Sequence, residues 1–483
     1  MGYDNLTLHT DKYQINMMYA HWKRGTMDEK TVFEAYFRKL PFGNGYAVFA
    51  GLERIVDYVR GLRFGDGEIR YLRTQEENYD EGFLQALRTF KFTGSLRAVP
   101  EGTVVFPGIP LVRVEARVFE AQLVETAILN FLNFQTLVAT KASRIKQVAP
   151  KERLLEFGTR RAQEADAAVW GARAAYIAGF HSTSNVLAGM RFGIPTSGTH
   201  AHSWVQGHDS EEDAFRQYAA ALPDHVTLLV DTYDTLRSGV PNAIRIAKEL
   251  ERQGKKLRGI RLDSGDLAYL SKRARAMLDE AGLRETAIVA SNDLDEHIIA
   301  ELKAQGARID VWGVGTRLIT AFDQPSLGGV YKLVAREKNG KLEPVIKISG
   351  NPEKITNPGV KTAYRLVNWE TGMAFADYIA LANDSDPLEG KPLLLHHPLH
   401  PHRIGKAERY DAIPLEKTIF ERGEPVGPPP SLDEIRRFHA EQLDRFWPEH
   451  LRKLNPEAYR VYYSQEILDL KAKLLREHGS RTE

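Results

Sequence analysis

Apolar residues keep several different rhythms along this chain of 483 residues. Up to about residue 135 the rhythm is mixed. Residues 11–22 have helical spacing behind an acidic N-cap candidate, Asp11. Residues 31–38 alternate with the period of a strand, closed by Pro41 and the Gly43-Asn44-Gly45 turn. Residues 46–62 and 81–90 read as helices. The runs at 104–106, 111–116 and 118–121, punctuated by Pro100, Pro107 and Pro110, read as short strands. A long apolar helix is predicted over 124–145.

From about 150 to 335 the pattern becomes strand, helix, strand. Short apolar runs stand at 154–157, 226–230, 259–262, 287–290, 310–313 and 330–334. Helical patterns lie between them at 163–189, 211–221, 240–253, 267–281 and 294–305. Repeated βα units with short buried strands predict a parallel sheet, open or closed into a barrel. Chemistry at the strand ends favours the barrel: Glu156 and Arg160, then Asp231, then Arg261 and Asp263, then Ser291-Asn292-Asp293, then Gly313, Gly315 and Thr316. In a parallel barrel such ends open on one mouth. Beyond 335 the alternation turns β-like again at 345–348 and 363–367, with turn signals at Lys338-Asn339-Gly340 and Asn351-Pro352. Residues 384–430 are rich in Pro, His and Gly and suggest surface loops, and 431–478 read as charged helix. The predicted architecture is an irregular parallel α/β barrel over 136–335. An α+β domain is formed by 1–135 and returning strands at 336–383, and 384–483 is a loop-rich, then helical, extension.

Composition narrows the function. Lys and Arg number 65 against 64 Asp and Glu, a net charge of +1, so no global field points to nucleic acid or to a membrane surface. Cysteine is absent, which excludes disulfides, thiolate metal sites and a cysteine nucleophile. No apolar run approaches the ~20 residues of a membrane span. The N-terminus lacks a secretory pattern, so a cytoplasmic protein is expected.

The Gly198-Thr199-His200-Ala201-His202-Ser203 element allows several chemistries. Two histidines two apart on an extended segment project to one side and supply half of a metal site. Alternatively one is a satisfied core histidine, or one is a nucleophile that meets a phosphate. Asp231 at a strand end is placed to orient an imidazole, while Asp234 reads as a helix N-cap. Gly313-Val314-Gly315-Thr316-Arg317 is a phosphate-loop candidate, with Arg160, Arg261 and Lys332 as sources of positive charge. A metal-dependent hydrolase using His200 and His202 is the alternative, weakened by the lack of a further histidine at later strand ends. A binding protein without turnover is a third possibility.

Thr10-Asp11-Lys12-Tyr13-Gln14, Phe157-Gly158-Thr159-Arg160-Arg161, the His200–His202 element, Leu262-Asp263-Ser264-Gly265-Asp266 and Gly313-Val314-Gly315-Thr316 occur in one order. Together they resemble the nicotinate phosphoribosyltransferase family, of the barrel type. The resemblance implies formation of nicotinate mononucleotide from nicotinate and phosphoribosyl pyrophosphate, coupled to ATP hydrolysis, with Mg²⁺. It implies that His202 is phosphorylated with Asp231 as its partner, His200 being support. Phe157 would stack on the pyridine, with Tyr13 of a neighbouring subunit on the other face. Arg261 would meet the nicotinate carboxylate or the pyrophosphate, and Asp263 the ribose. Asn292, Gly313, Gly315 and Thr316 would hold the 5′-phosphate, reached by Arg38 and Lys39 across a homodimer interface. Ser184 stands where the nicotinamide-using relatives carry an aspartate, which points to nicotinic acid as substrate. No resident protein-held metal is expected.

Overall fold

The computed structural model describes residues 5–382, 391–397 and 404–479. The chain divides into two units, Val138–Pro325 and the pair of segments Met1–Leu137 with Ser326–Glu483.

The first of these units holds a six-stranded parallel sheet: β1 (Arg153–Glu156), β2 (Ser182–Thr183), β3 (Thr227–Leu229), β4 (Gly259–Leu262), β5 (Ala287–Ser291) and β6 (Val311–Val314). The strands lie in the order β2-β1-β6-β5-β4-β3. That is the cyclic order of a barrel opened at one seam, between β2 and β3. Register places Ala290 opposite Trp312, Trp312 opposite Leu154, and Ile260 between Ile288 and Leu228. Those side chains are fully or almost fully buried, as expected for parallel strands covered on both faces. Helices Glu211–Ala221, Val240–Arg252, Leu267–Glu280 and Glu296–Ala304 alternate with the strands. Ser210, Asp266 and Asp295 cap three of them through side-chain oxygens.

One stretch corrects the sequence pattern. Residues 163–189 are not one helix but Glu164–Ile177, then β2, then Val186–Phe192. The turn after Ile177 carries Gly179 at φ +104°, where the left-handed backbone ends the helix. The open seam is occupied by the segment leading to the histidines. Thr183 donates its N–H to the Pro195 carbonyl at 3.0 Å, and Ser197 donates to the Thr183 carbonyl at 2.9 Å.

In the other unit, strand Lys30–Phe37 lies between Gly329–Lys338 and Val112–Arg117, antiparallel to both. The run at 330–334 therefore belongs to this antiparallel sheet and not to the parallel one. Its outward continuation turns at Asn339 and Gly340, both with positive φ, into Lys341–Pro344, the hairpin chemistry that Asn-Gly signals. Residues 118–121 form a helical turn rather than a strand, and the helix predicted from 46 begins at Leu52, after the short strand Ala47–Val48. Residues 345–348 form no strand. A second sheet joins Lys361–Asn368, Ala374–Leu381 and Tyr410–Pro414 with Leu393–His396, Ile404–Ala407 and Val461–Tyr463. The described part of 384–430 is thus largely strand, not loop; the rest of it, 384–390 and 398–403, lies outside the described residues. Helices Leu432–Leu443 and Gln465–Gly479 follow.

Candidate active site

The C-terminal ends of β3, β4, β5 and β6 present the polar residues that the strand pattern pointed to. Arg261, on β4, is held from three sides: its Nε donates to Ser291 Oγ at 2.8 Å, and its two terminal nitrogens donate to Thr199 Oγ1 at 3.0 Å and Asp263 Oδ1 at 2.8 Å. Ser291 also donates to Asp263 Oδ1. The guanidinium carbon lies 5.5 Å from the centre of the Phe157 ring. A cation fixed beside an aromatic face, without rotamer freedom, is prepared for a flat anionic ligand.

Phe157 leaves β1 with its N–H on the Val314 carbonyl at 2.8 Å. Its ring rests on Gly313 of β6, where an added Cβ would lie 2.6 Å from a ring carbon. Gly315 opens the helical turn Thr316–Ile319, and Asn292 and Asp293 have φ of +101° and +42° after β5. Such backbone geometry in non-glycine residues is held by its surroundings and marks loops that face ligands. Ser184 and Arg160 are exposed just beyond β2 and β1. Tyr13, Arg38 and Lys39 belong to the other unit. There Tyr13 is exposed on helix Lys12–Arg24, Lys39 lies 3.9 Å from Glu353, and Arg38 keeps a buried Nε without a hydrogen-bond partner.

The two histidines differ in kind. His200 is buried, and its Nε2 accepts the N–H of Leu229 on β3 at 3.1 Å while Nδ1 faces the Ala201 carbonyl at 3.3 Å. Burial lowers its pKa from the ordinary value. With both nitrogens engaged and the ring packed against Phe215 and Tyr218, it has no lone pair for a metal, which counts against the hydrolase alternative. His202 begins the short helix His202–Gln206 and is 40% exposed at its side chain. Its Nδ1 lies 3.1 Å from Thr232 Oγ1, and its Nε2 lies 4.0 Å from Asp231 Oδ1 and 3.9 Å from Asp263 Oδ2. Those last distances are beyond a hydrogen bond, but they place the imidazole between two carboxylates.

The Asp231 side chain is 1% exposed, and its Oδ2 accepts the Asp263 N–H at 2.8 Å and the Ser264 hydroxyl at 2.6 Å. Its Oδ1 is buried without a partner. An orphaned carboxylate oxygen asks for a cation or a proton donor. Asp234 caps through Oδ1, accepting from Leu236 and Arg237. The hydroxyls of Thr199, Thr232, Ser264 and Ser291, which tie the charged groups together, carry no sequence signal beyond adjacency to strand-end charges.

Parallel strand ends thus bring together a glycine-bearing turn, a fixed arginine beside an aromatic ring and a histidine between two carboxylates. Family models agree along the chain: the nicotinate phosphoribosyltransferase N-terminal domain matches residues 8–133, the nicotinate phosphoribosyltransferase family 153–368, and the corresponding C-terminal domain 360–471. A Bacillus subtilis nicotinate phosphoribosyltransferase is 53% identical over 99% of this chain and 97% of its own. The human nicotinate phosphoribosyltransferase is 35% identical over 95% and 94%. A crystal structure of the human nicotinic acid phosphoribosyltransferase superposes with a TM-score of 0.86, at 33% identity over 96% of this chain and 99% of that one. The chain belongs to the nicotinate phosphoribosyltransferase family.

Proposed function

We propose that the chain transfers the phosphoribosyl group of phosphoribosyl pyrophosphate to nicotinate in NAD salvage, coupled to ATP hydrolysis through a phosphohistidine at His202. The single observation that carries the site assignment is the Arg261–Phe157 pair, a pinned cation beside an aromatic face. The pyridine ring stacks on Phe157. Its nitrogen attacks C1 of the ribose as the bond from C1 to the pyrophosphate oxygen breaks. Positive charge builds on the sugar, near Asp263, and negative charge on the leaving pyrophosphate, near Arg261 and Arg160. Asn292, Gly313, Gly315 and Thr316 hold the 5′-phosphate, and Ser184 donates to the nicotinate carboxylate.

In the coupled step an imidazole nitrogen of His202 attacks the γ-phosphorus of ATP, ADP leaves, and water later cleaves the phosphohistidine. Asp231 and Asp263 flank that ring. Mg²⁺ fits this donor set: hard oxygen ligands, one of them the orphaned Asp231 Oδ1, with substrate phosphates to complete the shell. Bound there, it would supply charge neutralisation to the phosphates.

A homodimer with active sites at the subunit interface is supported by two exposed apolar helix faces. Val186, Leu187 and Met190 are 74, 51 and 78% exposed on helix Val186–Phe192, just after Ser184. Tyr13 and Met17, one turn apart, are 48 and 39% exposed on helix Lys12–Arg24. Tyr13, Arg38 and Lys39 of the neighbouring subunit complete the pyridine and phosphate sites. No helix of the described residues is long and apolar enough to cross a membrane, in keeping with a cytoplasmic enzyme.

The test is turnover of nicotinate with phosphoribosyl pyrophosphate and Mg²⁺, with and without ATP, following mononucleotide and ADP together. Mononucleotide formation rises with ATP in the wild type and loses that stimulation in His202→Ala. Equal stimulation in the variant removes the phosphohistidine.

A further inference from the structure

Glu156 ends β1 and is 1% exposed, yet the transfer requires no carboxylate at that position. Its side chain spans two loops. Oε1 accepts the N–H of Gly158, one residue past Phe157, and Oε2 accepts the Thr183 hydroxyl at 2.5 Å. Thr183 Oγ1 in turn accepts the Asn185 N–H at 3.0 Å. The Glu156 main-chain carbonyl accepts the N–H of Ser184 at 2.9 Å. Phe157, assigned to the face of the pyridine, and Ser184, assigned to its carboxylate, therefore hang from one residue.

We propose that Glu156 is the positioning residue of the nicotinate site, a buried clip that fixes the stacking ring and the carboxylate reader at one separation. The assignment rests on the reading of Phe157 and Ser184 given above. Because Thr183 Oγ1 already accepts from Asn185, its proton has Glu156 Oε2 as its acceptor. The Gly158 N–H takes the other oxygen, so each carboxylate oxygen meets a donor. A glutamine has one such oxygen, and its amide NH₂ meets a donor at the other place. Burial pushes the Glu156 carboxyl above its ordinary range, and the Thr183 and Gly158 donors oppose that rise. Losing one tether thus moves Phe157 relative to Ser184, while neither hydrogen bond of the Glu156 carboxylate runs to the loops assigned to phosphate, after β5 and β6.

The experiment measures KM for nicotinate and for phosphoribosyl pyrophosphate separately, with kcat, in Glu156→Gln, Thr183→Val and Thr183→Ser. Glu156→Gln and Thr183→Val raise the nicotinate KM about tenfold, the worth of a charge-assisted hydrogen bond. The phosphoribosyl pyrophosphate KM stays within about twofold, since its contacts are unchanged. Thr183→Ser, which keeps the hydroxyl, returns the nicotinate KM to the wild-type value. If Glu156→Gln fails to fold, the Thr183 pair carries the same comparison. Equal rises in both KM values, or a fall in kcat alone, overturn the clip and leave Glu156 a general support of the fold. An active wild type with an unmoved nicotinate KM in the variants overturns the Glu156 assignment alone. A wild type that forms no mononucleotide overturns the transfer reading together with it.

Discussion

One exposed side chain, Ser184, carries the substrate discrimination proposed above. A serine hydroxyl donates to a carboxylate, whereas an aspartate accepts from an amide and repels a second negative charge. Ser184→Asp is expected to lower kcat/KM for nicotinate by about 10- to 100-fold, the cost of a like-charge contact near the surface, and to improve use of nicotinamide. Competition between the two substrates measures this, and unchanged kinetics would remove Ser184 from the specificity argument. Asp231 and Asp263 were legible in the sequence because each stands directly after an apolar run, Arg261 because it interrupts one, and His202 because it sits in a Gly-flanked histidine pair. His202, Asp231, Arg261 and Asp263 do converge on one mouth. The hydroxyls that fix them were not legible, since a single Ser or Thr has neither period nor charge to separate it from an ordinary loop residue.

At the scale of elements, β1 and β6 approach so closely that the Phe157 ring takes the space a side chain at 313 would fill. Gly313→Ala should displace that ring and cost about 1–3 kcal/mol, as overpacking does. The expected outcome is a raised nicotinate KM with a modest fall in the urea midpoint. A variant with wild-type KM would show that the ring has room to yield. Strands β3 to β6 were readable because buried parallel strands are continuous apolar runs. β2 was not: Ser182 and Thr183 are polar, yet paired with Leu155 and Glu156 in the sheet and buried, and tertiary pairing overrides a composition that resembles a helix end. Residues 118–121 failed in the opposite sense, for four apolar-rich residues suit a strand or a helical turn equally. The strand at Gly329–Lys338 had the right period but the wrong sheet, because alternation does not name a partner.

For the whole molecule, acid is the informative stress. His439 is buried with Nδ1 on the Gly102 carbonyl at 2.8 Å, and burial holds its pKa at about 4, below the ordinary 6.5. Its neutral form is therefore favoured by folding. That contribution is fully present above pH 6.5 and is lost as pH falls through the window down to about 4. The loss amounts to about 3 kcal/mol from this group, and His200 acts in the same direction. Urea unfolding at pH 7.5 and pH 5 should show a smaller pH effect in His439→Gln than in the wild type; equal effects would assign the acid sensitivity elsewhere. The parallel sheet adds a consequence of its own through its seam. The gap between β2 and β3 is bridged on one side by the Thr183 pairing with Pro195 and Ser197, and on the other by His200 accepting from Leu229. At about 1 kcal/mol for each such bond, and with the Arg261–Thr199 and His202–Thr232 contacts and the packing of His200 on Phe215 and Tyr218 added, lifting the segment that bears His202 would still leave all six strands zipped. The segment that carries the proposed phosphohistidine is thus anchored apart from the strand ladder, so its opening and cooperative unfolding are expected to be governed by separate barriers.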